Sequence, residues 1–188
     1  MIYVVSGDGP RCGSTMMMEA LKAGGMMLAY DVEHHIKSRE LSRAAEIQLM
    51  LELTEQEMKL DRFPDPAIYD DKAIKVMPDP WMPLARMMVG EYRVIWLHRP
   101  KEHRWASYQS LMPKQELSWA TGEQCDRERM SKSVLAIIHE RPDMDITECD
   151  FANVVAFPIV FFSALASAGW PIDPYAVSLI PDCNRKHF

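Results

Sequence analysis

At 188 residues the chain has the length of one ordinary domain, and its 48% hydrophobic and 26% charged content lies far from the low-hydrophobicity, high-charge regime of disordered chains. Acidic residues outnumber basic ones, 27 against 21, for a formal charge of -6. That balance excludes a broad footprint for nucleic acid or an anionic membrane, so any bound anion is expected in a focused pocket.

In chain order, Ile2 to Ser6 is a short β-branched run that predicts a first strand, and Gly7-Asp8-Gly9-Pro10-Arg11-Cys12-Gly13 predicts a tight loop after it. Good helix formers from Ser14 to Ala23 are stopped by Gly24-Gly25. Met26 to Tyr30 predicts a second strand running into the polar Asp31-Val32-Glu33-His34-His35, the kind of strand end that often holds functional side chains. A long helical region follows over Ser38 to Asp61, ended by Pro64 and Pro66. Ala73 to Met77 predicts a third strand, and Asp79-Pro80 starts a short helix through Met88. Tyr92 to Leu97 predicts a buried strand, after which His98-Arg99-Pro100 turns into a helix and leaves Arg99 at the corner. The remainder reads as helix over Glu116 to Glu140, a weak fifth strand over Asp145 to Cys149, an apolar helix over Pro158 to Ala168 and a last helix after Ile172. Strands alternating with helices predict a parallel sheet covered on both faces, in one domain spanning 1–188.

The most apolar stretch, Phe157 to Trp170, contains Pro158, Ser163, Ser167 and Gly169 and falls short of the roughly 20 apolar residues of a membrane span. The first residues have no basic stretch and too short an apolar run for a secretory signal, so the expected location is the cytoplasm. Cys12, Cys125, Cys149 and Cys183 have no metal-ligand or disulfide spacing and read as free thiols. The 15 methionines read as adaptable core fillers.

A glycine-rich loop between a strand and a helix turns backbone N–H groups towards one point, where the helix dipole favours an anion. The nucleotide-hydrolase form is G-x-x-x-x-G-K-[ST]. Here five residues separate Gly7 from Gly13, and Ser14 stands where the lysine belongs. The extra residue is expected to bulge out at Asp8-Gly9, the alternative being an Asp8 carboxylate facing the phosphate cradle.

Pro10-Arg11-Cys12-Gly13-Ser14-Thr15 resembles the P-[RK]-[SC]-G-[ST]-[ST] loop of sulfotransferases that use 3′-phosphoadenosine 5′-phosphosulfate, and Arg99, followed eight positions later by Ser107-Tyr108, resembles their 3′-phosphate site. Arg99 at a helix start and Ser107 two turns inside it can reach one phosphate from the same side. The resemblance implies a three-layer αβα domain of the P-loop type with about five mostly parallel strands. It implies a donor co-substrate, 3′-phosphoadenosine 5′-phosphosulfate, held by Pro10 to Thr15, Arg99 and Ser107, with Arg185 as a further contact. It implies transfer of a sulfuryl group to a small hydroxyl- or amine-bearing acceptor without a metal, Arg11 stabilising the leaving phosphate oxygen and Lys75 acting as a second cation. Cytosolic members place a histidine in K-T-H-x-P; Lys75-Val76-Met77-Pro78 keeps the lysine and has methionine at the histidine position. Other branches use a glutamate about twenty residues beyond the loop's cation. Asp31 and Glu33, 20 and 22 positions after Arg11, are the candidate bases, Glu33 first, with His34 and His35 beside them. The acceptor pocket is expected in Val32–Pro66 and Met112–Cys125. The alternatives are a P-loop small-molecule or nucleotide kinase using ATP, and an inactive nucleotide-binding relative.

Overall fold

Every residue of Ile2–Gly7 (β1) is buried, as expected of a strand covered on both faces. It is the middle strand of a five-stranded sheet of order β2-β3-β1-β4-β5. The other strands are β2 (Met27–Leu28), β3 (Lys72–Lys75), β4 (Tyr92–His98) and β5 (Met144–Asp150). All pairings are parallel, and β4 runs alongside β1 from Ile2 opposite Tyr92 to Gly7 opposite Leu97. The computed structural model describes residues 1–9, 11–29, 69–76, 89–109 and 129–184.

Side-chain alternation divides the core in two. Tyr3, Val5, Ile95 and Leu97 point to one face, which is covered by α1 (Ser14–Ala23), α4 (Phe151–Ala156), α5 (Pro158–Ser167) and α6 (Pro174–Asn184). Val4, Val94 and Trp96 point to the other, where Val134 and Ile138 of α3 (129–139) close over them. The result is the expected three-layer αβα arrangement. Helix α2 (Lys101–Gln109) follows the Arg99 corner, and its ladder begins at the Pro100 carbonyl, which accepts from the Arg104 N–H at 3.0 Å.

Three elements depart from expectation. β5 is seven residues long, as long as β4; as an outer strand it exposes Asp145, Glu148 and Asp150, which dilutes the apolar signal. The helix α4 was not anticipated, because six residues ahead of Pro158 are too few to establish a helical period. β2 has only two residues. The expected helices over 38–61 and 79–88 lie outside the described residues. Among the described cysteine side chains, Cys12 and Cys149 are free thiols, and no helix there is long and apolar enough to cross a membrane.

At the opposite edge of the sheet from the loops of interest, Asp143 ties the start of β4. It accepts from the Gly90 N–H at 3.0 Å and from Arg141 Nε at 3.0 Å. The Arg141 guanidinium holds its carboxyl down at about 2. A depressed carboxyl stabilises the fold above its ordinary value of 3.8 and loses that contribution as pH falls through about 2. Asp143→Asn is therefore expected to cost about 1–2 kcal/mol at neutral pH, after allowance for solvent screening. The gap to the wild type should close as pH falls below 3.8 towards about 2, as read by urea unfolding.

Candidate functional site

The loops after β1 and β4 and the direct junction of β5 with α4 lie together at the C-terminal edge of the sheet, where open parallel sheets take ligands. The first leaves β1 at Gly7 and ends on Gly13, the residue ahead of α1, at φ +107. A side chain at Gly13 would place its Cβ 2.3 Å from Phe151 Cδ2, so the backbone there touches the first residue of α4. α1 has neither a side-chain cap nor an acidic residue in its first turn, and that turn of N–H groups is suited to an anion.

Arg11 occupies the left-handed region at φ 66, which is costly for a residue with a Cβ and is kept only where the surroundings enforce it. The surroundings here are the second loop. Arg99 Nη1 donates to the Arg11 carbonyl at 3.0 Å, and Arg11 Nε donates to Ser107 Oγ at 3.1 Å. The three residues that sequence spacing assigned to two separate clamps thus meet at one corner. The Arg99 guanidinium lies 4.5 Å above the Phe151 ring. Burial, then the like charges of Arg11 and Arg104, lower its pKa, so Arg99 sits in a field that an anion would relieve.

Lys75, at the end of β3, is buried at 4% exposure and donates to Thr15 Oγ1 at 3.2 Å. It is an interior cation beside the loop and not a solvated lysine. Ser14 is buried. Cys12 is wholly buried, burial pushes its thiol pKa up, and its backbone N–H is turned to the Gly9 carbonyl at 3.3 Å. Its part is therefore to pack beneath the loop. Pro10, Asp31, Glu33, His34, His35, Met77 and Arg185 lie outside the described residues, as do the expected acceptor segments.

The expectation of a free bulge at Asp8-Gly9 is corrected. Asp8 Oδ1 accepts from Trp96 Nε1 at 3.2 Å and Asp8 Oδ2 from the Arg99 backbone N–H at 3.1 Å. The extra residue binds the loop to the tip of β4, and its carboxylate is engaged there. Arg104, buried at 5% exposure, completes the tie by donating to the Asp8 carbonyl at 2.9 Å and the Arg99 carbonyl at 3.0 Å. Sequence reasoning missed Arg104 and Phe151, and weighed Asp8 only as a bulge or as a carboxylate facing the cradle. The local signal available was an aspartate following a strand.

Beside the corner, between the start of α2 and α4, opens a pocket of about 410 Å³ lined by Arg99, Pro100, His103, Phe151, Val155 and neighbouring alanines. Its walls are largely apolar and include the Arg99 cation, which suits a flat heteroaromatic ring next to an anion.

No family model matches the chain, and no curated protein matches it in sequence. Among solved structures it is similar to an unliganded sugar kinase from Janibacter sp., at 15% identity over 94% of this chain and 98% of that one, with a TM-score of 0.41.

Proposed function

We propose that the protein transfers a sulfuryl group from 3′-phosphoadenosine 5′-phosphosulfate to a hydroxyl or amine of a small acceptor. The observation that supports this reading is the meeting of Arg11 with Ser107 at 3.1 Å and of Arg99 with the Arg11 carbonyl at 3.0 Å. It sets the glycine loop beside the β4–α2 corner, which supports one bisphosphorylated nucleoside being held by both. In this reading the first turn of α1 holds the 5′-phosphosulfate end. Arg99 and Ser107 hold the 3′-phosphate, and the base lies in the apolar pocket against Phe151. As the bond from sulfur to the 5′-phosphate oxygen breaks and a bond to the acceptor forms, Arg11 and Lys75 neutralise the charge gathering on the leaving oxygen. Glu33 or Asp31 takes the acceptor proton. The charge stabilisation comes from side chains and N–H groups, so no metal is required.

A second reading, phosphoryl transfer from ATP, is favoured by one contact. Lys75 reaches Thr15 Oγ1 at 3.2 Å, so a lysine from β3 stands near the place that a phosphate-binding lysine of the loop itself would fill. Isothermal titration separates the readings. Binding of 3′-phosphoadenosine 5′-phosphate without magnesium, tighter than ATP, is the expected result; magnesium-dependent ATP binding indifferent to a 3′-phosphate would replace it with the kinase. Donor binding with no turnover across an acceptor panel would make the protein a binding module.

A further inference from the structure

On the α3 side of the sheet, four titratable side chains form a row across its C-terminal edge: Asp8, His98 at the end of β4, Glu148 on β5 and His139 on α3. His98 Nδ1 lies 3.1 Å from Asp8 Oδ1, and its Nε2 lies 2.7 Å from Glu148 Oε2. The other oxygen of Glu148 meets His139 Nε2 at 2.8 Å. A neutral imidazole has one N–H, so it can donate to one carboxylate and must turn a lone pair to the other. Only the imidazolium joins both. Asp8 is also the residue by which the loop is anchored, through Trp96, the Arg99 N–H and Arg104.

We propose that Asp8, His98 and Glu148 form a proton-loaded strap that sets the glycine loop, so that the loop loosens, and its grip on an anionic ligand weakens, when the His98 imidazolium loses its proton. The ligand half of this inference rests on the nucleotide-binding reading above; the strap itself does not.

Several charged groups surround His98. Asp8 faces it from the loop and Glu148 from β5, with His139 beyond Glu148. Arg104 is engaged on the Asp8 carbonyl and Arg99 on that of Arg11. Asp150, next along β5, is engaged with Asn153 at 3.4 Å. Burial opposes the imidazolium, but Glu148 and Asp8 together outweigh it, and the His98 pKa is raised from its ordinary 6.5. The hydrogen bond from His98 lowers the pKa of Glu148 from 4.5. The raised histidine contributes fully below 6.5 and loses its contribution as pH rises through its folded value. The lowered glutamate contributes above 4.5 and loses its contribution as pH falls through its folded value. The strap is therefore whole between the lowered value of Glu148 and the raised value of His98, and opens as pH rises through the latter.

The test uses the full chain and three readouts. An NMR titration of His98 should place its pKa above 6.5, with Glu148→Gln and Asp8→Asn each lowering it. The Asp8 and Cys12 amides donate to Leu97 and Gly9. Their hydrogen-exchange protection, with intrinsic rates divided out, should fall as His98 titrates in the wild type and stay flat in His98→Gln. Affinity for 3′-phosphoadenosine 5′-phosphate should weaken about tenfold across the same pH interval, the equivalent of one charge-assisted hydrogen bond, and not in His98→Gln. An unshifted His98, or loop protection that does not follow it, overturns the strap. Nucleotide binding that ignores the His98 titration overturns its control of the loop. Failure of the nucleotide to bind at any pH overturns the nucleotide reading instead, and the protection data alone then decide for or against the strap.

Discussion

Gly13→Ala is expected to cost about 2–4 kcal/mol of stability and to remove ligand binding. Two effects add. The backbone at φ +107 is open to glycine and costly for alanine, and the new Cβ would stand 2.3 Å from two carbons of the Phe151 ring. Phe151 is buried at 5% exposure and held from above by Arg99, so it has little freedom to withdraw. A double-mutant cycle separates the two effects. Adding Phe151→Leu should recover the steric part, about 1–2 kcal/mol, while the dihedral part persists. Chemical denaturation of the four proteins reads the cycle. Strict additivity would show that Gly13 and Phe151 do not meet as described.

Arg99→Ala should separate binding from folding. Arg99 is partly buried among Arg11 and Arg104, and its charged form is disfavoured there. Removing it relieves that crowding while losing one hydrogen bond to the Arg11 carbonyl and the contact with Phe151. The net change in stability is expected to stay within about 1 kcal/mol. Affinity for 3′-phosphoadenosine 5′-phosphate should fall about 10- to 100-fold, the range for a charge-assisted bond to phosphate. Arg99→Lys should restore little, because an ammonium cannot reach a carbonyl and a phosphate in one plane as a guanidinium does. Titration calorimetry with urea unfolding checks both halves; unchanged affinity would remove Arg99 from the site.

What was legible in the sequence was what is encoded locally. The run Ile2–Ser6, the glycine loop and the Arg99–Ser107 spacing each lie within one strand–turn–helix unit, and their geometry follows from the chain itself. β4 was readable because both of its faces are covered, so its run Val94–Leu97 is uniformly apolar; β5 carries carboxylates at Asp145, Glu148 and Asp150, which dilute its signal. The role of Asp8 was not readable, because its partners Trp96, His98 and Arg99 come about ninety residues later and only sheet pairing brings them alongside. The burial of Lys75 and Arg104 was hidden for the same reason: a cation in a sequence looks solvated until its neighbours are known. Phe151 escaped because a short helix after a strand has no period to detect. The candidate bases Asp31 and Glu33 lie outside the described residues and stand as the resemblance implies them.

Among the described residues strand β5 ends the sheet on its side, hydrogen-bonded to β4, with Asp145, Glu148 and Asp150 at its exposed positions. A second molecule offering a strand to that margin would have to bring its own backbone past three carboxylates in an already acidic protein. The margin is thereby protected against the edge-to-edge stacking through which open sheets begin to form fibrils.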